Sequence, residues 1–91
     1  MATILRANNT QEEVSPSNGS DFQLAEVKAI VDGWVEITYL SDGRIMLLNE
    51  EGKISDLPPN WAATELFNQG GRLWYEVIVG DVLVCEDHEF R

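Results

Sequence analysis

Asn49, Asn60 and Trp61 fall within thirteen residues of one another and bracket the double proline Pro58-Pro59. Each asparagine amide can both donate and accept, an indole offers a flat π face, and consecutive prolines hold a spacer extended. Together these parts suit a grip on a nucleobase. Arg44 and Arg72, each at the expected start of a strand, would add two guanidiniums able to clamp a phosphate. The same residues also support a plainer reading, in which Asn60 caps a helix, Trp61 packs, and each arginine pairs with one of the sixteen acidic residues.

Those acids suggest a second chemistry. Sixteen acidic against six basic residues leave a formal net charge of -10, which repels DNA, RNA and anionic lipid at long range. Direct nucleic-acid and membrane partners are therefore not expected. An acidic surface can instead cover a basic site on another protein, and Glu50, Glu51, Asp56, Glu86, Asp87 and Glu89 are the candidates for such a face.

Catalytic chemistry finds few parts. The chain has one cysteine and one histidine, too few for a zinc site or a nucleophile with its base and orienting group. Cys85 lies in the apolar run VLVC, where a buried thiol is inert, and His88 lies in a charged tail. Phosphate-cradling glycine motifs are missing. The expectation is a non-enzymatic protein with no cofactor and no metal. A lone cysteine and the lack of an apolar leader in residues 1–10 point to the cytoplasm.

The elements that must position these residues are legible from periodicity. ATIL reads as a first strand, and residues 7–21 as a loop or hairpin in which Glu12 to Val14 add a short strand. Ser20 and Gln23 fit a capping box ahead of a helix over about 21–32, with Gly33 as its left-handed cap. Residues 34–40 alternate as a strand, Asp42-Gly43 suits a two-residue type I′ turn, and residues 44–49 return as an apolar strand buried on both faces. A turn with Gly52 left-handed, a rigid linker and a helix from Trp61 to Asn68 follow. Residues 73–79 and 82–85 read as two further strands around Gly80-Asp81, with 86–91 a frayed tail. The fold class is α+β: one domain over 1–91, a mostly antiparallel sheet of about five strands, and two helices. Trp34, Trp61 and Trp74 are more indole than so small a monomer readily buries, so a homo-oligomer is expected, with the late strands or the second helix at its interface.

The stretch IVDGWVEITYLSDGRIMLLNEEGKISDLPPNWAATELF, followed by DVLVC, resembles a family of short domains of unknown function found in phages, plasmids and other mobile elements. The resemblance rests on Gly33 to Glu36, Asn49 to Lys53, Leu57, Pro58, Asn60 and Gly80, and covers about residues 24–85. It carries no activity, but implies a setting in which small acidic proteins occupy or sequester host components, often in counter-defence. Two functions remain open. One is capture of a nucleotide-derived host immune signal by Asn49, Asn60, Trp61, Arg44 and Arg72 in a small homo-oligomer. The other is inhibition of a basic host defence or nucleic-acid-handling protein by the acidic face.

Overall fold

Residues 2–69 and 75–90 are described by a computed structural model. Chain order runs β1 (Ala2–Leu5), β2 (Gln11–Val14), α1 (Leu24–Val31), β3 (Val35–Tyr39), β4 (Ile45–Asn49), α2 (Trp61–Asn68) and β5 (Val82–Cys85), then a 3-10 turn at Asp87–Glu89. The strands form one antiparallel sheet in the order β2-β1-β5-β4-β3, so the last strand in sequence sits at its centre. The α+β class and the antiparallel five-strand, two-helix composition are as expected. Among the described residues no helix is long and apolar enough to cross a membrane.

Both faces of the sheet are covered. On one, Ile4, Ile45, Leu47, Leu83 and Cys85 pack with Val27 and Val31 of α1. On the other, Leu5, Met46, Val82 and Val84 pack with Ala63 and with Ile78 of the extended segment after α2. This two-sided burial explains why IMLL and VLVC read as continuous apolar runs, whereas VEITY alternates at an edge.

Several local expectations change. The capping box lies three residues later than expected: Gln23 is the N-cap and its partner is Glu26, whose carboxylate accepts from the Gln23 N–H at 3.2 Å. The left-handed residue ending α1 is Asp32 (φ 62), not Gly33. Gly33 answers a different demand, since a Cβ there would lie 2.6 Å from Asn49 Nδ2. Likewise Gly52 is not left-handed; a Cβ there would meet Val79 at 2.9 Å, and Asp56 (φ 59) takes the positive φ of that turn. The β3–β4 hairpin is closed by Leu40 and Arg44, with Gly43 at φ 92 and Asp42 outside the left-handed region. It is thus a three-residue loop ending in a left-handed glycine, in place of the type I′ pair.

The late strand expected over 73–79 is not a ladder strand in its described part. Tyr75 to Ile78 are extended without sheet pairing, and Val79 makes only an isolated bridge to Pro59. Leu73 and Trp74 lie outside the described residues. The tail also differs from a frayed end: Glu86 and Glu89 form a reciprocal cap on the 3-10 turn, and Phe90 bridges to Phe22 against the α1-side core.

Candidate functional site

α2 is only eight residues long, below the length at which an isolated helix persists in water, so tertiary contacts must hold it. A polar stripe at four-residue spacing does this. Asn60 is wholly buried; its Oδ1 accepts from the Ala63 N–H at 3.1 Å, and its Nδ2 donates to the carbonyls of Leu5 and Gly80, both at 2.8 Å. Thr64 Oγ1 donates to the Asn60 carbonyl at 2.8 Å and accepts from the Ile78 N–H at 2.9 Å. Asn68 donates to the Glu76 carbonyl at 2.8 Å and accepts from the Glu76 N–H at 3.1 Å. Residues 76–80 are therefore sewn to one side of α2 without belonging to the sheet. The Asn-Thr-Asn spacing was visible in the sequence, but only the partners reveal its purpose.

This stitching leaves a cavity of about 180 Å³ between residues 76–79, Phe67, the edge of the sheet and the turn after β4. Its apolar surfaces come from Leu48, Ile54, Phe67, Val77 and Val79, and its polar ones from Glu36 and Thr38 of β3, Glu50, Lys53 and Glu76. Lys53 Nζ lies 2.6 Å from Glu76 Oε1, which leaves Glu36 and Glu50 as carboxyl groups that no cation among the described residues pairs in the cavity. Glu36, Thr38 and Glu76 were not singled out from the sequence; alternation placed Glu36 on a polar strand face, but nothing local showed that a segment forty residues later would roof it.

The four candidate ligand residues that are described do not converge. Asn49 borders this cavity, yet its Nδ2 donates to the carbonyls of Val31 and Asp32, both at 3.1 Å, and its Oδ1 accepts from the Glu51 N–H at 2.8 Å, so the amide is a tether for the end of α1. Asn60 is the buried cap just described. Arg44 borders a separate recess with Gln11 and Leu66, and its guanidinium is held by Asp42 at 2.7 Å. Trp61 is 54% exposed and lines a third, shallower cleft of about 570 Å³ with Glu65, Asn68, Gln69 and Tyr75, the last 67% exposed. Arg72 lies outside the described residues.

The candidate acidic face is also divided. The antiparallel pairing of β4 with β5 sets Ile45 opposite Cys85, so Glu86 and Asp87 leave the sheet at the end opposite Glu50, Glu51 and Asp56. Glu89 is buried; burial alone would raise its carboxyl, but the hydrogen bond from the Glu86 N–H holds it below the ordinary range. It is part of the frame and not of an outer surface. Cys85 is fully buried, and burial, with Glu89 nearby, pushes its thiol up to about 12.

A family model, Domain of unknown function (DUF3846), matches residues 2–90, and the chain belongs to that family. No curated protein and no solved structure matches it.

Proposed function

We propose that the protein is a non-catalytic binding protein whose acid-lined cavity receives a basic side chain from a protein partner. The observation that carries this reading is the pairing of an apolar floor with the carboxyl groups of Glu36 and Glu50, Glu76 being held by Lys53. A lysine or arginine has the matching form, an apolar stem under a charged head. At about 180 Å³ the cavity is smaller than the ~300–1,000 Å³ of sites that enclose small molecules. The charge of -10 adds long-range attraction for a basic surface. In the mobile-element setting that the family resemblance implies, the partner is a host defence or nucleic-acid-handling protein, and docking inhibits it in the host cytoplasm.

A second reading has its own observation. The exposed Trp61 and Tyr75 line one cleft, and two aromatic faces can stack a base, as capture of a nucleotide-derived signal requires. Against it, no cation lines that cleft among the described residues, and Arg44 is held elsewhere by Asp42.

Calorimetric titration separates the two. A lysine- and arginine-rich peptide should bind, Glu36→Gln with Glu50→Gln should weaken it by about tenfold, and raising NaCl from about 0.05 to about 0.3 M should weaken it further. Trp61→Ala should leave peptide binding intact. Binding of a nucleoside phosphate that Trp61→Ala abolishes, with no peptide binding, would replace the first reading by the second.

A further inference from the structure

We propose that residues 76–79 present an open strand edge at the acid-lined cavity, on which the basic partner docks as an added β-strand; this rests on the reading of that cavity as a receptor for a basic side chain. The run Glu76-Val77-Ile78-Val79 has the β-branched residues of a strand but belongs to no ladder. Its backbone is nevertheless satisfied along one side. The Asn68 amide engages both the N–H and the carbonyl of Glu76, and Thr64 Oγ1 accepts from the Ile78 N–H. The Ile78 carbonyl accepts from the Asn60 N–H, and the Gly80 N–H donates to the Pro58 carbonyl, both at 2.8 Å. Each of these groups on the segment belongs to an even-numbered residue.

Extended backbone turns the N–H and C=O of successive residues to opposite sides. With residues 76, 78 and 80 facing α2 and Pro58, the backbone groups of Val77 and Val79 point the other way. The bridge of Val79 to Pro59 agrees, because its two hydrogen bonds come from the flanking residues and leave the N–H and C=O of Val79 unused. No described residue bonds to the backbone of Val77 or Val79. Both are half-buried and line the cavity. They offer two donors and two acceptors about 7 Å apart, the repeat of a strand edge.

The cavity also selects what pairs there. It is lined by Glu36 and Glu50, whose carboxyl groups no cation among the described residues pairs, so the occupant must be basic. Side chains of an incoming strand alternate between its faces, and lysine or arginine at every second position brings its charged heads to one side. Main-chain hydrogen bonds then supply affinity for any strand, and the carboxylates choose a basic one. A basic helix fits less well, because it uses its backbone groups internally. A second copy of this chain is a poor occupant, since each carries a charge of -10. The occupant is therefore an extended basic segment of another protein.

Amide hydrogen exchange followed by NMR tests the edge and its occupant, with acetyl-Thr-Lys-Val-Lys-Val-Lys-Thr-amide as the probe. In the free protein the Val77 and Val79 amides should exchange at least about tenfold faster than that of Ile78 between them, and saturating peptide should slow both by about tenfold. Two N-methylated peptides, one modified at its lysines and one at its valines, should then behave differently. One should bind about tenfold more weakly and the other nearly as well as the parent, because only alternate residues of an added strand face Val77 and Val79. Val77→Pro deletes an N–H that no described residue uses and should weaken binding by a similar factor. Thermal melts verify that this variant folds; should it not, the methylated pair decides. Slow exchange at Val77 and Val79 in the free protein, or equal effects of the two methylations, would overturn the proposal. Peptide that binds without protecting these amides overturns the strand pairing and leaves the cavity as the site, whereas no binding at all removes both.

Discussion

Asn60 shows how one side chain can join three parts of a fold. Its amide caps α2, reaches the end of β1 at Leu5 and holds the turn at Gly80, all without exposure to solvent. Replacing it by alanine removes the cap and leaves two carbonyls without that donor. Asn60→Ala should therefore cost on the order of 2–4 kcal/mol, read as a lower midpoint in urea unfolding. Asn60→Asp should be at least as damaging, because a carboxylate keeps the cap but cannot donate to either carbonyl and brings a charge into the interior. A loss below about 1 kcal/mol in both variants would mean that the amide is not the structural tie its contacts describe. Asn49 plays the same part at the end of α1, and the close approach of its amide accounts for Gly33.

At the level of the element, α1 depends on Glu26. Besides closing the cap with Gln23, its carboxylate accepts from the Ser17 N–H at 3.3 Å and from the Ser17 hydroxyl at 3.0 Å, tying the preceding loop to the first turn. The Gln23 hydrogen bond holds the Glu26 carboxyl below its ordinary range against the opposing effect of desolvation, with help from Ser17. A lowered folded value means that the unfolded chain takes up the proton first. The contribution is thus complete above the ordinary glutamate value of about 4.3 and is lost as the pH falls through the lower folded value. Glu26→Gln keeps a side chain able to accept the cap bond but removes the titration, so melting temperature should fall less steeply below about pH 4.5 than in wild type. Parallel acid limbs for the two proteins would count against the cap as a source of acid sensitivity. The second helix has no such carboxylate in its first turn and is held by Asn60, Thr64 and Asn68 instead.

For the whole molecule, the sixteen acids against six bases dominate. Ion pairs such as Arg6 with Asp81 at 2.9 Å and Lys53 with Glu76 at 2.6 Å engage some of the bases, but the acids outnumber the bases by ten. Self-repulsion of this kind weakens the compact state and is screened by salt. Raising NaCl from about 0.02 to about 0.5 M should raise the melting temperature by several degrees, measured at low protein concentration to keep self-association out of the result. A fall in melting temperature over that range would show that the ion pairs outweigh the repulsion.

Local pattern in the sequence determined much of this protein. The apolar period of Leu24 to Val31, the Asn60 cap ahead of Trp61 to Asn68, the alternation of Val35 to Tyr39 and the unbroken runs of β4 and β5 depend only on neighbours in the chain, and they placed both helices and these strands to within a few residues. Turn details were less legible, because positive φ can pass to Asp32 or Asp56 when a nearby glycine is needed for close packing. What only the tertiary structure decided was which residues meet. The strand order puts β5 at the centre and sends Glu86 and Asp87 to the end opposite Glu50. Stitching by α2 carries Glu76 to the cavity bordered by Glu36. Asn49 and Asn60 turn inward because buried carbonyls require donors, a demand that comes from chain segments up to fifty-five residues away. Long-range pairing, absent from any local window, separated the polar residues that hold the frame from those left facing solvent.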